Sequence, residues 1–131
     1  MAAIKRFEDI EAWQEARTIA KDIYQLTEKD SFRRNFSLMD QIRRSSGSIM
    51  DNIAEGYERD GNKEFIQYLS IAKGSSGETR SQLYRALDYG YITKGEFEIC
   101  FNKLVHISTL IQHFINYLKK SSFKGTKFIK E

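Results

Sequence analysis

Between Gln41 and Tyr57 the chain reads QIRRSSGSIMDNIAEGY, and laid on a helix at about 100° per residue its positions fall into two neighbouring stripes. Leu38, Met39, Ile42, Ser46, Ile49, Met50, Ile53 and Tyr57 make an apolar face. Gln41, Ser45, Ser48, Asn52 and Glu55 make a polar, mostly uncharged stripe beside it. A plain surface helix carries Lys and Glu in that place. Small hydroxyls interleaved with amides predict a flank packed against another backbone, where each polar group finds a partner.

The pattern returns further along. A segment from about Lys63 to Asp88 has a core face of Phe65, Leu69, Ala72, Ser76, Thr79, Leu83 and Leu87, with Ser75, Glu78 and Gln82 beside it and Ile71 and Tyr89 extending the line. The two segments are therefore expected to be mutual partners, or partners of the same stripe on another subunit. An earlier segment, Phe7 to Lys29, places Trp13, Ala16, Ala20, Ile23 and Thr27 on one side, widened by Ile19 and Leu26. The last, opened by a Thr93–Glu96 capping box after Gly90, carries Phe97, Cys100, Phe101, Leu104, Ile107, Ile111, Phe114, Ile115 and Leu118. The gap Asp30 to Phe36 is basic and aromatic, and Ser37 with Asp40 reads as the N-cap of the second segment. Arg59 to Asn62 is a turn.

Four long helices with short connections predict an all-α, up-down-up-down four-helix bundle. Surplus apolar surface on the last helix and the doubled polar stripe predict self-association. The absence of proline favours uninterrupted helices. The bundle is expected over residues 1–118, followed by a basic, mobile tail over 119–131. Five lysines and one acid lie from Lys119 onward, leaving 16 basic and 17 acidic side chains in a nearly neutral body. With a single cysteine, no signal peptide and no apolar run of membrane-spanning length, the expectation is a cytoplasmic protein with no membrane partner.

The run QIRRSSGSIMDNIAEGY, followed by KEFIQYLSIAKGSSGETRSQLYRALDYGYI, resembles the bacterial four-helix bundle proteins known as 23S ribosomal RNA intervening-sequence proteins. The resemblance spans Phe7 to Leu118 and is most specific at Asn52-Ile53-Ala54-Glu55-Gly56, at Gln41-x-Arg43-Arg44 and at Gly74-Ser75-Ser76-x-Glu78. It implies a ring-like homopentamer without enzymatic activity. A similar bundle serves as the accessory protein of diversity-generating retroelements, where it is thought to bind nucleic acid and the reverse transcriptase. Relatives often show Phe-Pro before the second helix, whereas here Phe32 is followed by Arg33-Arg34, which adds positive charge to that connection.

Candidate chemistry narrows quickly. Asn52, Glu55 and Glu78 are the most tempting catalytic residues, but no nucleophile, phosphate loop or metal set accompanies them, so a role in packing and register is preferred. The Glu-x-x-His motifs of di-metal bundles are absent, and His106 and His113 lie seven apart on the outer side of the last helix without a third ligand, so no metal or other cofactor is expected. Cys100 is read as a small core residue, and Gly47, Gly74 and Gly77 as points of close helix approach. For nucleic acid the candidates are Arg33, Arg34, Arg43, Arg44 and Arg59, with the tail lysines. The function expected is an oligomeric helical protein binding structured RNA or DNA together with a protein partner; the alternative is a protein–protein adaptor with no nucleic-acid role.

Overall fold

The structure, a computed structural model, describes residues 3–121, and no strand occurs among them. A 3-10 turn at Phe7–Asp9 leads into α1 (Glu11–Thr27); then come a one-turn helix α2 (Asp30–Arg33), α3 (Phe36–Glu58), α4 (Asn62–Asp88) and α5 (Lys94–Ser121). The described residues form an all-helical bundle of four long helices with one short insertion.

The insertion departs from the expected loop. Asp30 to Arg33 closes a helical turn because Phe32 is wholly buried, its ring 5.4 Å from that of Tyr91. The cap of α3 moves with it. Asn35, not Ser37, is the N-cap, accepting from the Leu38 amide at 3.1 Å, while its Nδ2 donates to the Tyr91 hydroxyl at 3.3 Å. Ser37 lies inside the helix, where its hydroxyl accepts from Gln41. At the far end α5 runs three residues past Leu118, since no glycine or proline interrupts it before Gly125. The remainder of the basic tail lies outside the described residues.

The core is contiguous. α1 packs on α3 and α5, α3 on α4, and α4 on α5. Ile19, Ile23, Leu38, Ile42, Ile49, Ile53, Leu69, Leu83, Leu104, Ile107 and Ile111 are all fully buried, each contributing roughly 1.5–3 kcal/mol through removal from water. The inner face of α1 is turned from the expected one. Ala12 and Ala16 lead it, and Trp13 is only partly buried, edge-on to Phe7 at 5.2 Å.

Close helix approach occurs at one glycine, and it is not among those expected. A β-carbon on Gly47 or Gly74 would meet nothing within 4 Å, and one on Gly77 only the flexible end of Arg80 at 3.8 Å. A β-carbon on Gly56 would lie 2.5 Å from Cβ of Tyr68 on α4. The three expected glycines point away from the facing backbone, whereas Gly56 lies directly on it.

The capping box of α5 is formed reciprocally. Thr93 Oγ1 accepts from the Glu96 amide at 3.1 Å, and Glu96 Oε1 accepts from the Thr93 amide at 2.9 Å. Lys29 of the α1–α2 connection donates to the same Oε1 at 2.8 Å. The Lys29 ammonium first, then the Thr93 amide, holds the Glu96 carboxyl below its ordinary value of 4.5. A carboxyl depressed by folding stabilises above its unfolded value and loses that contribution as pH falls through the folded one. Glu96→Gln is therefore expected to lower stability at pH 7 and to converge with the unmodified protein well below pH 4, read as denaturant midpoints at the two pH values. Thr93→Ala is expected to cost about 1 kcal/mol.

Candidate nucleic-acid interface

The polar stripes of α3 and α4 meet each other within one chain. Ser45 donates to Gln82 Oε1 at 2.6 Å and lies 2.8 Å from the Thr79 hydroxyl; Ser48 and Ser75 are 3.0 Å apart. Further along, Tyr68 donates to Glu55 at 3.1 Å. Residue numbers thus fall on α4 as they rise on α3. The seam is sealed at its middle and wet at its ends. Ser45, Ser75 and Gln82 are buried, Ser48 and Asn52 partly so, and Gln41, Glu55 and Glu78 are exposed.

This register separates the two carboxylates that looked catalytic. Tyr68 faces Glu55, so Glu78 stands ten residues further along α4, about 15 Å away along the axis. Glu55 instead holds the Arg59 guanidinium at 2.9 Å, and that bond, followed by the one from Tyr68, keeps its carboxyl below the usual range. Such a group is a poor proton donor at neutral pH. Asn52 bonds within its own helix, donating to the carbonyl and hydroxyl of Ser48 at 2.8 Å each.

Cys100 is buried, and burial first, then the nearby Asp22 charge, pushes its thiol up to about 11. The thiolate needed for nucleophilic chemistry is therefore scarce at neutral pH. Both histidines are exposed, and among the described residues no group of three or more His, Cys, Asp or Glu side chains gathers as a metal would need. No described helix is long and apolar enough to cross a membrane.

The five candidate arginines do not form one patch. Arg43 is held in place, donating to Thr27 at 2.7 Å and Glu28 at 2.6 Å with its guanidinium 4.4 Å over the Tyr24 ring. Arg44 pairs with Asp40 at 2.9 Å. Arg59 is committed to Glu55 and packs 5.2 Å over Tyr68, at the opposite end of α3 from Arg33 and Arg34, about 35 Å away along the helix. Arg33 and Arg34, exposed like Arg44 and Arg59, differ from these three in having no ion pair among the described residues.

Around them the fold assembles residues that the helical stripes did not place together. The start of α3 and the end of α4 share one end of the bundle with α2. Asn35 and Phe32 touch Tyr91, whose ring lies 5.9 Å from that of Tyr89, and Arg85 packs 5.9 Å over Tyr89. Phe36 is 68% exposed and Tyr89 53%. Arg33, Arg34, Arg85 and Lys94 are exposed cations without ion pairs among the described residues at the end that carries these two open rings, Arg85 also donating to Gln41 Oε1 at 3.5 Å, and the carboxylates of Asp30 and Asp88 here are likewise without ion pairs. Guanidinium groups suit phosphate oxygens and open rings suit stacked bases, a combination that single-stranded and looped nucleic acids fit. Tyr89 was visible as an extension of the α4 stripe, but that it stands with Arg85 at this end follows from antiparallel pairing, which brings the end of one helix to the beginning of its partner.

Residues 8–113 match the family described as 23S rRNA-intervening sequence protein. Among solved structures, the chain is similar to the 1.70 Å crystal structure of a protein with unknown function from the S23 ribosomal protein family of Bacteroides thetaiotaomicron. The two share 27% identity with a TM-score of 0.73, covering 79% of this chain and 97% of the other. No curated protein matches the chain.

Proposed function

Because the chain belongs to the 23S rRNA-intervening sequence protein family, we propose that it acts without catalysis, as an oligomeric helical bundle that binds structured RNA or DNA at the α2 end. The observation that carries this reading is the set of exposed cations without ion pairs among the described residues, Arg33, Arg34, Arg85 and Lys94, at the end of the bundle that carries the open rings of Phe36 and Tyr89. One copy offers few phosphate contacts. An up-down-up-down bundle repeated in a ring-like homopentamer, as family resemblance implies, multiplies them around an axis and turns weak contacts into avidity. Exposed Ile71, Ile99 and Tyr117 supply apolar surface for such assembly. The cytoplasm is the compartment in which this activity is placed.

The test is a salt titration of binding to a labelled structured RNA, with duplex DNA for comparison. Affinity is expected to fall steeply with salt. The pair Arg33→Glu and Arg34→Glu is expected to weaken binding at least about threefold at fixed salt while leaving the assembly mass unchanged. Arg59→Glu, at the far end and already neutralised, is expected to change it less. Equal losses for the two variants would remove the α2 end from the interface. No binding at low salt would favour the adaptor reading, to which exposed Ile99 beside Leu26 lends apolar surface; a partner retained from lysate after nuclease treatment would then support it.

A further inference from the structure

A cleft of about 460 Å³ opens between the N-terminal segment and α5. Its floor is apolar, built by the largely buried Ile4, Ile10, Ala12 and Phe114 with Leu110, and Asp9 and Glu11 stand on its lining. Asp9 already accepts from the Lys5 amide at 3.1 Å and faces Arg6 at 3.4 Å; Glu11 has no ion pair among the described residues. An apolar slot edged by carboxylates suits a hydrophobic side chain flanked by cations.

The chain itself carries that pattern. Beyond Ser121 the sequence continues SFKGTKFIKE, in which Phe128 and Ile129 lie between Lys127 and Lys130. Phe114 and Leu110 stand seven and eleven residues back from Ser121 along α5, about 10 and 17 Å. Phe128, seven residues beyond Ser121, reaches about 23 Å when extended, enough to double back onto the cleft; Phe123, two residues beyond, reaches only about 7 Å. We propose that this cleft is the docking site of the chain's own C-terminal segment, with Phe128 as its apolar anchor and Lys127 and Lys130 set against Asp9 and Glu11. Docked in this way, the segment commits its lysines to the protein's own carboxylates and withholds them from phosphates.

Crosslinking in the full chain tests this. Ala3, exposed on the cleft, and Thr126 are both changed to Cys and joined with a short bis-maleimide; the control pair is Gln67→Cys with Thr126→Cys. Gln67 is exposed on α4, whose start meets Leu118 through a bond from Asn62, so it too lies within reach of the segment. Cys100 stays in place, because its burial keeps it from the reagent. The Ala3 pair is expected to close within one chain at least about tenfold faster than the control, as a raised local concentration requires. Phe128→Asp is expected to abolish that advantage, and Glu11→Lys to reduce it. Equal rates for the two pairs would overturn the proposal, as would products joining two chains, which would assign the cleft to a neighbouring copy's segment.

Discussion

Replacing Gly56 by alanine is expected to destabilise the protein by about 2 kcal/mol, against the usual benefit of removing a glycine from a helix. Alanine at an exposed helical position recovers up to about 1 kcal/mol of propensity. At Gly56 the added methyl would stand 2.5 Å from Tyr68 Cβ, 3.1 Å from Phe65 Cδ1 and 3.3 Å from Tyr68 Cγ. The nearest of these is a β-carbon fixed to the α4 backbone, so the helices must part, and overpacking of this kind costs roughly 1–3 kcal/mol. Gly74→Ala supplies the contrast, since its methyl meets nothing within 4 Å. That variant should gain about 0.5–1 kcal/mol. Denaturant midpoints of the two variants, measured side by side, should move in opposite directions; a common gain would mean that α3 and α4 are not packed as described.

Ser45→Ala is the second large effect, expected to cost about 1–3 kcal/mol because it leaves the buried Gln82 Oε1 without its donor. Thr79 is less affected, keeping the Ser75 carbonyl at 2.9 Å as an acceptor. A double-mutant cycle sharpens the test. Adding Gln82→Leu removes the stranded oxygen, so the two substitutions together should cost less than the sum of the single ones. Additive losses would show that the serine acts by volume alone. Asn52→Leu, on the same stripe, should instead shift stability by no more than about 0.5 kcal/mol. Its amide serves only Ser48 of its own helix, and that carbonyl and hydroxyl have other or solvent partners available.

Much of the fold was legible because its punctuation is local. Gly90 with φ of 80° ends the α4 connection, Thr93 and Glu96 cap α5, and Gly61 with φ of 85° separates α3 from α4; each signal lies within a few residues of what it controls. What was illegible depends on neighbours distant in sequence. Whether Asn35 or Ser37 caps α3 is decided by Tyr91, 56 residues away. Gly56 becomes critical only because Tyr68 faces it, and the polar stripe is dry at Ser45, which Thr79 and Gln82 of α4 cover, and wet at Gln41, whose partner there is the exposed Arg85. The candidate interface was half legible for the same reason. Arg33 and Arg34 were visible as a basic pair, but that Arg43 is bound to Thr27 and Glu28, and that Arg85 and Tyr89 stand near the pair, follow from tertiary placement alone.

Phe32, sealed beneath a single helical turn, has a consequence for association thermodynamics. A four-residue helix has no stability of its own, so the conformation of Asp30–Arg33 is enforced by that one buried ring. Fixing a backbone costs roughly 1–2 kcal/mol per residue, and here the loss is incurred when the chain folds rather than when a ligand arrives. On the proposed reading, Arg33 would meet a nucleic acid on a preorganised backbone, with Arg34 at its edge. Any affinity proposed for this end would thus be coupled to a side chain that no ligand could touch.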